Sequence, residues 1–136
     1  MERFFRRGAE HFREFHNGYL NFGLWEKGIS DYVAAAENLV TRIGTLLGLN
    51  QKSHLLDVAC GTGTQDIFLH QKFQPAIIEA VDVTWEHIQH GIRRAREAGI
   101  ENRVCFRHGT ATDLPFSENS FTHVMSIEGP EQFNTR

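Results

Sequence analysis

The sequence is poor in several features that define whole classes of protein. It holds only 2 cysteines in 136 residues, too few for the disulfide framework of a small secreted domain. Its formal net charge is −3, so it lacks the basic excess typical of nucleic-acid-binding domains. The one basic cluster, Arg93, Arg94 and Arg96, is interleaved with apolar residues at helical spacing and is predicted to face solvent. We therefore expect no nucleic-acid partner.

Long apolar runs are also lacking. No stretch is long enough to cross a bilayer, and the first residues mix charges among phenylalanines, unlike a signal peptide. We expect no membrane partner and a cytoplasmic location. The 8 histidines do not form a metal signature. His87 and His90 share a predicted helix face, but no nearby cysteine or acid completes a tetrahedral set, so no metal site is expected.

Residues 55–64, LLDVACGTGT, are the most informative segment that is present. An apolar strand ends just after Asp57, and Gly61 and Gly63 allow a tight turn into a helix predicted over residues 64–73. A dinucleotide fingerprint would need a third glycine where this chain has Asp66. Two carboxylates beside the turn would repel a pyrophosphate and attract a cationic cofactor.

A second strand and helix follow in the order expected of a nucleoside site. Residues 76–83 form a predicted parallel strand ending at Asp82, and Thr84 is the predicted N-cap of the next helix, over residues 85–98. A carboxylate at such a strand end can accept the hydrogens of ribose hydroxyls. Two more strands are predicted, at residues 103–107 and 121–127, with a loop at 108–116 between them. The pattern predicts an α/β fold with a Rossmann-like, doubly wound parallel sheet.

The N-terminal part of the chain is predicted to be helical. A first apolar stripe at helical spacing consists of Phe5, Phe12, Phe15 and Tyr19. A second helix is predicted over residues 31–47, with Ser30 as N-cap and Gly48 at its end. We expect residues 1–50 to form a helical cap or lid and residues 51–136 to form the cofactor-binding part of one compact domain. The glycine-rich, aromatic segment 17–28 suits a flap that excludes water.

These motifs, taken together, resemble the class I S-adenosylmethionine-dependent methyltransferases. VACGTGT is similar to their first cofactor motif, VDVT to the strand end carrying the ribose-binding acid, and GTATDLPF to the adenine loop. The resemblance spans roughly residues 19–136. It is closest to enzymes that methylate small molecules: tocopherol-like phenols, sugars, sarcosine-type amines and prenyl diphosphates. It implies S-adenosyl-L-methionine as cofactor and a small-molecule methyl acceptor.

The resemblance also implies site residues. Those implied for the cofactor are Asp57, Ala59, Gly61, Gly63, Asp82, Val83, Thr110 and Ala111. Asp57 would lie near the methionyl end and Asp82 at the ribose, with Val83 and Ala111 on either side of the adenine. Those implied for the substrate or lid are Tyr19 and Trp25 in YLNFGLWE, and Glu128 and Gln132 in SIEGPEQFNTR.

Two of these positions depart from the family pattern. Thr110 stands where the family usually has an acid that accepts from the adenine amine, and a hydroxyl is a weaker acceptor. Gln132 stands where the family often has histidine, and an amide cannot take a proton at neutral pH. No catalytic residue is therefore assigned.

The fourth predicted strand is where the resemblance becomes incomplete. Family members have a seven-stranded sheet in the order 3-2-1-4-5-7-6, and this sequence ends shortly after its fourth strand. That strand would then have an open edge, made apolar by Phe121, Val124, Met125 and Ile127. Open apolar edges pair readily with other chains, so a homodimer through this strand is expected.

Three functions stay open from the sequence. The first is a methyltransferase that acts on a small molecule. The second is a module that binds S-adenosylmethionine without turnover. The third is a nicotinamide-dependent oxidoreductase, which is the weakest because Asp66 replaces the glycine that a pyrophosphate needs.

Overall fold

The computed structural model describes residues 16–133. The elements of this part, in chain order, are α1 (Tyr32–Leu47), β1 (His54–Val58), α2 (Thr64–Phe73), β2 (Ile77–Asp82), α3 (Trp85–Glu97), β3 (Val104–His108), β4 (His123–Met125) and a short 3₁₀ helix (Pro130–Gln132). The phenylalanine stripe predicted at Phe5, Phe12 and Phe15 lies outside the described residues. No helix within residues 16–133 has the length and apolar character needed to cross a bilayer.

The four strands form one parallel sheet in the order β3-β2-β1-β4. β1 lies in the middle and pairs with β2 from His54↔Ile77 to Val58↔Val81. On its other side β1 pairs with β4, and β2 pairs in turn with β3. The predicted α/β parallel architecture is confirmed. Because all strands are parallel, their carboxyl ends meet at one edge of the sheet, where ligands bind in open α/β folds.

Side chains alternate between the two faces of β1. Leu55 joins the main core cluster, which includes Val40 of α1, Leu69 of α2 and Ile88 of α3. Leu56 belongs to a smaller cluster with Val58 and Val81, packed against the loop residues Leu114, Phe116 and Phe121. The helices therefore cover the face that carries Leu55, and the loop before β4 covers part of the other.

The helix ends agree with the sequence patterns, with one correction. α2 spans the predicted residues, and Gly48 ends α1 in the left-handed conformation, as predicted. The N-cap of α1 is Asp31 and not Ser30, because the Asp31 side chain accepts the Ala34 N–H at 2.9 Å. Thr84 is at the N-cap position of α3, but its side chain makes no capping hydrogen bond.

The edge strand β4 is shorter than the sequence predicted and exposes fewer apolar side chains. Only His123–Met125 pair with β1, compared with the predicted 121–127. Met125 and Ile127 are buried in the main core, and Phe121 packs edge-on against Phe116. Val124 alone of the four apolar residues is exposed, at 58%. The prediction that all four make the edge apolar was wrong, because successive residues point to opposite sides and the core takes up two of them.

The two cysteines are free. Cys60 is buried in the turn after β1, Cys105 is partly buried in β3, and β2 lies between these two strands. This agrees with the two-cysteine pattern, which does not predict a disulfide.

Candidate functional site

The glycine turn after β1 lies at the carboxyl edge of the sheet. Ala59, Gly61 and Gly63 all have left-handed backbone, with φ of 66°, 60° and 76°. The N–H groups of Ala59 and Cys60 both donate to Val81 O, at 2.8 and 3.0 Å, so the turn is tied to the end of β2. A Cβ on Gly63 would lie 2.2 Å from a ring carbon of Phe106. Glycine is therefore required at this position by conformation and by space.

Asp82, the last residue of β2, stabilises the same turn by hydrogen bonds. Its two carboxylate oxygens accept the Gly61 N–H at 2.9 Å and the Thr84 N–H at 2.8 Å. His87 Nδ1 lies 3.3 Å from one of these oxygens. A carboxylate offers about four lone-pair sites, so Asp82 keeps acceptor capacity beyond these contacts. The carboxylate is thus held by backbone amides at the edge where a ribose could reach it.

Val83 and the loop after β3 lie beside Asp82. The Gly109 N–H donates to Asp82 O at 3.0 Å, and His108 Nε2 lies 2.9 Å from Val83 O. The Val83 side chain is 60% exposed, which is unusual for an aliphatic residue next to a buried strand. Thr110 and Ala111 follow directly on Gly109. The structure therefore brings the four residues predicted for ribose and adenine to one place.

The carboxyl group of Asp57 lies beneath the turn and points toward α2. It is completely buried, and the Gln65 side-chain amide donates to one of its oxygens at 2.6 Å. Burial raises the pKa of Asp57 to about 7. Asp66 is also completely buried, and its pKa is raised well above the usual range by burial and then by the charge of Asp57. The two acids predicted to flank the turn thus lie together inside the protein.

The segment before α1 crosses the turn and reaches the end of β4. Gly18 O accepts the Thr62 hydroxyl at 2.5 Å, and a Leu20 methyl carbon lies 2.8 Å from the position of a Cβ on Gly61. Further along, the Phe22 N–H donates to both carboxylate oxygens of Glu128, at 3.1 and 3.0 Å. The predicted flap is therefore in contact with the turn at one end and with Glu128 at the other.

The aromatic residues predicted for this flap differ in exposure. Tyr19 is buried in the main core, and its hydroxyl donates to Glu37 of α1 at 3.1 Å. Trp25 is half-exposed, and its indole N–H donates to Phe22 O at 2.9 Å. Gln132 lies in the 3₁₀ helix after β4, and its side chain is outside the described part of the structure.

Arg94 is a residue of this region that the sequence did not reveal. Its guanidinium donates to the Thr64 hydroxyl at 2.8 Å and to Asn17 O at 3.4 Å, so it joins α3, the start of α2 and the flap. The prediction that all three arginines of the cluster face solvent was wrong for Arg94. The partners are 30 and 77 residues away along the chain, and no local pattern signals a contact of that kind.

A parallel sheet with a glycine turn after the first strand and an acid at the end of the second defines a nucleoside-binding α/β domain. The family model described as "Methyltransferase domain" matches residues 55–135, which cover β1 to the 3₁₀ helix. The chain belongs to this family of methyltransferase domains.

Two curated relatives and one solved structure illustrate the likeness. Erythromycin 3''-O-methyltransferase of Saccharopolyspora erythraea is 33% identical over 118 residues, covering 87% of this chain and 39% of that protein. The 27-O-demethylrifamycin SV methyltransferase of Amycolatopsis mediterranei is 26% identical, covering 80% of this chain and 40% of that protein. This chain therefore spans about two fifths of the length of these relatives.

The solved structure shows the fold alone, because its sequence identity is low. Geranyl diphosphate C-methyltransferase from Streptomyces coelicolor, in complex with Mg²⁺, geranyl diphosphate and S-adenosyl-L-homocysteine, superposes with a TM-score of 0.76. It is 20% identical, and the match covers 92% of this chain and 52% of that one.

Proposed function

We propose that this chain binds S-adenosyl-L-methionine at the carboxyl edge of its sheet and forms the cofactor-binding part of a small-molecule methyltransferase. The observation that carries the proposal is the position of Asp82. Its carboxylate is held by the Gly61 and Thr84 amides, beside the exposed Val83 and the start of the loop after β3. In a methyltransferase domain, a nucleoside needs a carboxylate to accept hydrogen bonds from its ribose and an apolar surface beside it for its base.

The residues present fit that cofactor. Asp82 would accept from the ribose hydroxyls with its remaining lone pairs, and Val83 and Ala111 would contact the adenine, with Thr110 at its edge. Ala59, Gly61 and Gly63 would bring the backbone of the turn close to the methionyl part. Asp57 would act on its cationic end, because charge buried near a ligand is screened weakly.

Bound at this edge, S-adenosylmethionine would supply a methyl group on a sulfonium, open to in-line displacement by a nucleophile. The protein's part is to hold donor and acceptor at the right separation and to exclude water. We assign the exclusion of water to residues 1–50 as a cap, with Tyr19 and Trp25 on the flap. The Phe22 N–H, which donates to both carboxylate oxygens of Glu128, supports this role because it joins the flap to the segment after β4. Gln132 would lie on the acceptor side.

The acceptor class is inferred from the relatives. The names of the erythromycin and rifamycin enzymes both specify transfer to oxygen, so we propose a hydroxyl group of a small molecule as the acceptor. The cytoplasmic location expected from the sequence stays a prediction.

The cofactor preference can be measured directly by calorimetric titration of the chain. We expect S-adenosylmethionine and S-adenosylhomocysteine to bind more tightly than NAD. The chain has Asp66 where a dinucleotide fingerprint needs its third glycine, and the buried acids near the turn would repel the pyrophosphate of NAD. Adenosine serves as a control that shares only the nucleoside contacts. If NAD bound more tightly than either, the oxidoreductase reading would replace this one.

A module that binds the cofactor without turnover is the alternative, favoured by Gln132, whose amide cannot accept a proton at neutral pH. Transfer of a radiolabelled methyl group to a panel of small phenols, amines and sugars separates the two. We expect little or no transfer by the 136-residue chain alone. Robust transfer would show that residues 1–136 suffice for an acceptor site.

Self-association through β4 is a further proposal. β4 is the edge of the described sheet, and Val124 is exposed on it. Val124→Lys places a charge on the edge and should shift a dimer toward monomer in light scattering. Leu46→Lys is the matched control, since Leu46 is 73% exposed on α1, away from the edge. A parent that is monomeric at high concentration would exclude the idea, and a dimer that only the control disrupts would move the interface to α1.

A further inference from the structure

Two carboxyl groups are completely buried beside each other beneath the glycine turn. Asp57 comes from β1 and Asp66 from the first turn of α2. The Gln65 amide satisfies one oxygen of Asp57. Among the residues the structure describes, no other side chain donates to the second oxygen of Asp57 or to either oxygen of Asp66, whose nearest partners are the other acid and, for Asp66, its own backbone amide. Buried carboxylate oxygens without donors are costly, so this arrangement needs an explanation.

Two ionised carboxylates at this place would combine full desolvation with mutual repulsion. A single proton removes both problems. It neutralises one acid, and it turns that acid into a donor for the oxygens of the other. Burial raises the pKa of both carboxyl groups, and the charge of Asp57 raises that of Asp66 further. The Gln65 amide donates to Asp57 at 2.6 Å and stabilises its ionised form, whereas no other side chain within residues 16–133 donates to Asp66. The proton is therefore assigned to Asp66, which donates it to Asp57.

The surrounding charges support this distribution. Asp82 of β2 acts on Asp57 and raises its pKa further, and the thiol of Cys60 in the turn lies in the field of all three acids. On the α3 side, Arg94 ends on the Thr64 hydroxyl, two residues before Asp66. Tyr19 of the flap, buried in the same core cluster as Cys60, donates its hydroxyl to Glu37 of α1.

We propose that Asp66 is a positioning residue of the cofactor site, which keeps one proton shared with Asp57 so that the buried pair carries a single negative charge. Given the proposed place of Asp57 near the methionyl end, that charge favours the ammonium and sulfonium of S-adenosylmethionine. Asp66 would not touch the cofactor itself. It acts by keeping Asp57 ionised and in place.

The proton can be observed without any ligand. At pH 8 the ordinary carboxyl groups are ionised, and Asp57 is largely ionised too, so a carbonyl stretch of protonated carboxylic acid in the infrared spectrum would come from Asp66. We expect this band in the parent chain and its loss in Asp66→Asn. Absence of the band in the parent, or an unchanged band in the variant, would overturn the proposal.

The pH profile of stability gives a second readout that does not depend on cofactor. Above about pH 7, Asp57 is ionised in both the folded and the unfolded state, whereas Asp66 keeps its proton when folded and is ionised when unfolded. Because the folded state then binds one more proton than the unfolded state, stability falls as pH rises, by up to about tenfold in the folding equilibrium constant per pH unit. Asp66→Asn should remove this contribution. An unchanged slope would contradict the shared proton.

The effect on the cofactor is tested with a charged and an uncharged ligand. Asp66→Ala removes the donor to Asp57, so at pH 8, where Asp57 of the parent is largely ionised, Asp57 of the variant should take up a proton and S-adenosylmethionine should bind about tenfold more weakly. Adenosine should bind within about twofold of the parent, and Asp66→Asn, which keeps a donor, should restore most of the affinity. Equal weakening of both ligands would show a merely structural role and overturn the positioning role. If the parent bound neither ligand, the proposed function would fail, while the infrared and stability results would still decide whether the proton is shared.

Discussion

Asp82→Ala is expected to weaken binding of S-adenosylmethionine by about 1.5–3 kcal/mol, which is roughly 12- to 140-fold in affinity. The substitution removes a charged acceptor from the position proposed for the ribose. It also frees the Gly61 and Thr84 amides, whose hydrogen bonds of 2.9 and 2.8 Å hold the turn in place. Calorimetric titration gives the affinity, and urea unfolding reports how much of the loss comes from the turn itself.

The matched control for Asp82→Ala is Glu79→Gln. Glu79 is on the same strand, but it pairs with Arg107 at 2.9 Å away from the carboxyl edge. A partly exposed pair of this kind contributes little, so cofactor affinity should stay within about twofold of the parent. An Asp82→Ala variant that also stayed within twofold would show that Asp82 is not the ribose ligand.

Gly63→Ala is expected to cost about 2–5 kcal/mol of the free energy of unfolding, the largest stability effect among these variants. Part of the cost is the left-handed backbone, with φ of 76°. The rest is steric, because the new Cβ would lie 2.2 Å from the ring of Phe106. That ring has no room to retreat, since the position of a Cβ on Gly91 is only 2.7 Å from it on the α3 side.

Gly99→Ala separates the two contributions. Gly99 has nearly the same backbone, with φ of 70°, but nothing lies within 4 Å of its Cβ position. Its substitution should cost only the conformational part, about 1–2 kcal/mol. Urea unfolding of both variants gives the steric part by difference. Equal losses would mean that Phe106 shifts freely and that the turn is not tightly packed against β3.

The local elements of this protein were predictable from its sequence. The limits of α2 follow from the apolar strand and glycine turn before it, and the end of α1 at Gly48 follows from the left-handed cap that glycine allows. The parallel order of the strands follows from the alternation of strand and helix along the chain. The places of Asp82 and Val83 at the carboxyl edge follow from their position at the end of a buried strand, which Asp82 completes and Val83 follows. The helix limits depend on interactions between residues close together in sequence, and the sheet architecture follows from the order in which strands and helices alternate along the chain.

Tertiary structure decided the features that join distant parts of the chain. Only the folded chain shows that Arg94 reaches Thr64 and that the Phe22 amide, 106 residues from Glu128, is held by its carboxylate. The short pairing of β4 and the burial of Met125 and Ile127 depend on how much of that segment the core accepts. The sequence put two acids on either side of the glycine turn, but their burial in one place depends on α2 packing over β1. Periodicity and turn chemistry are local, whereas desolvation and pairing of charges depend on three-dimensional neighbours, and so they could be read only from the fold.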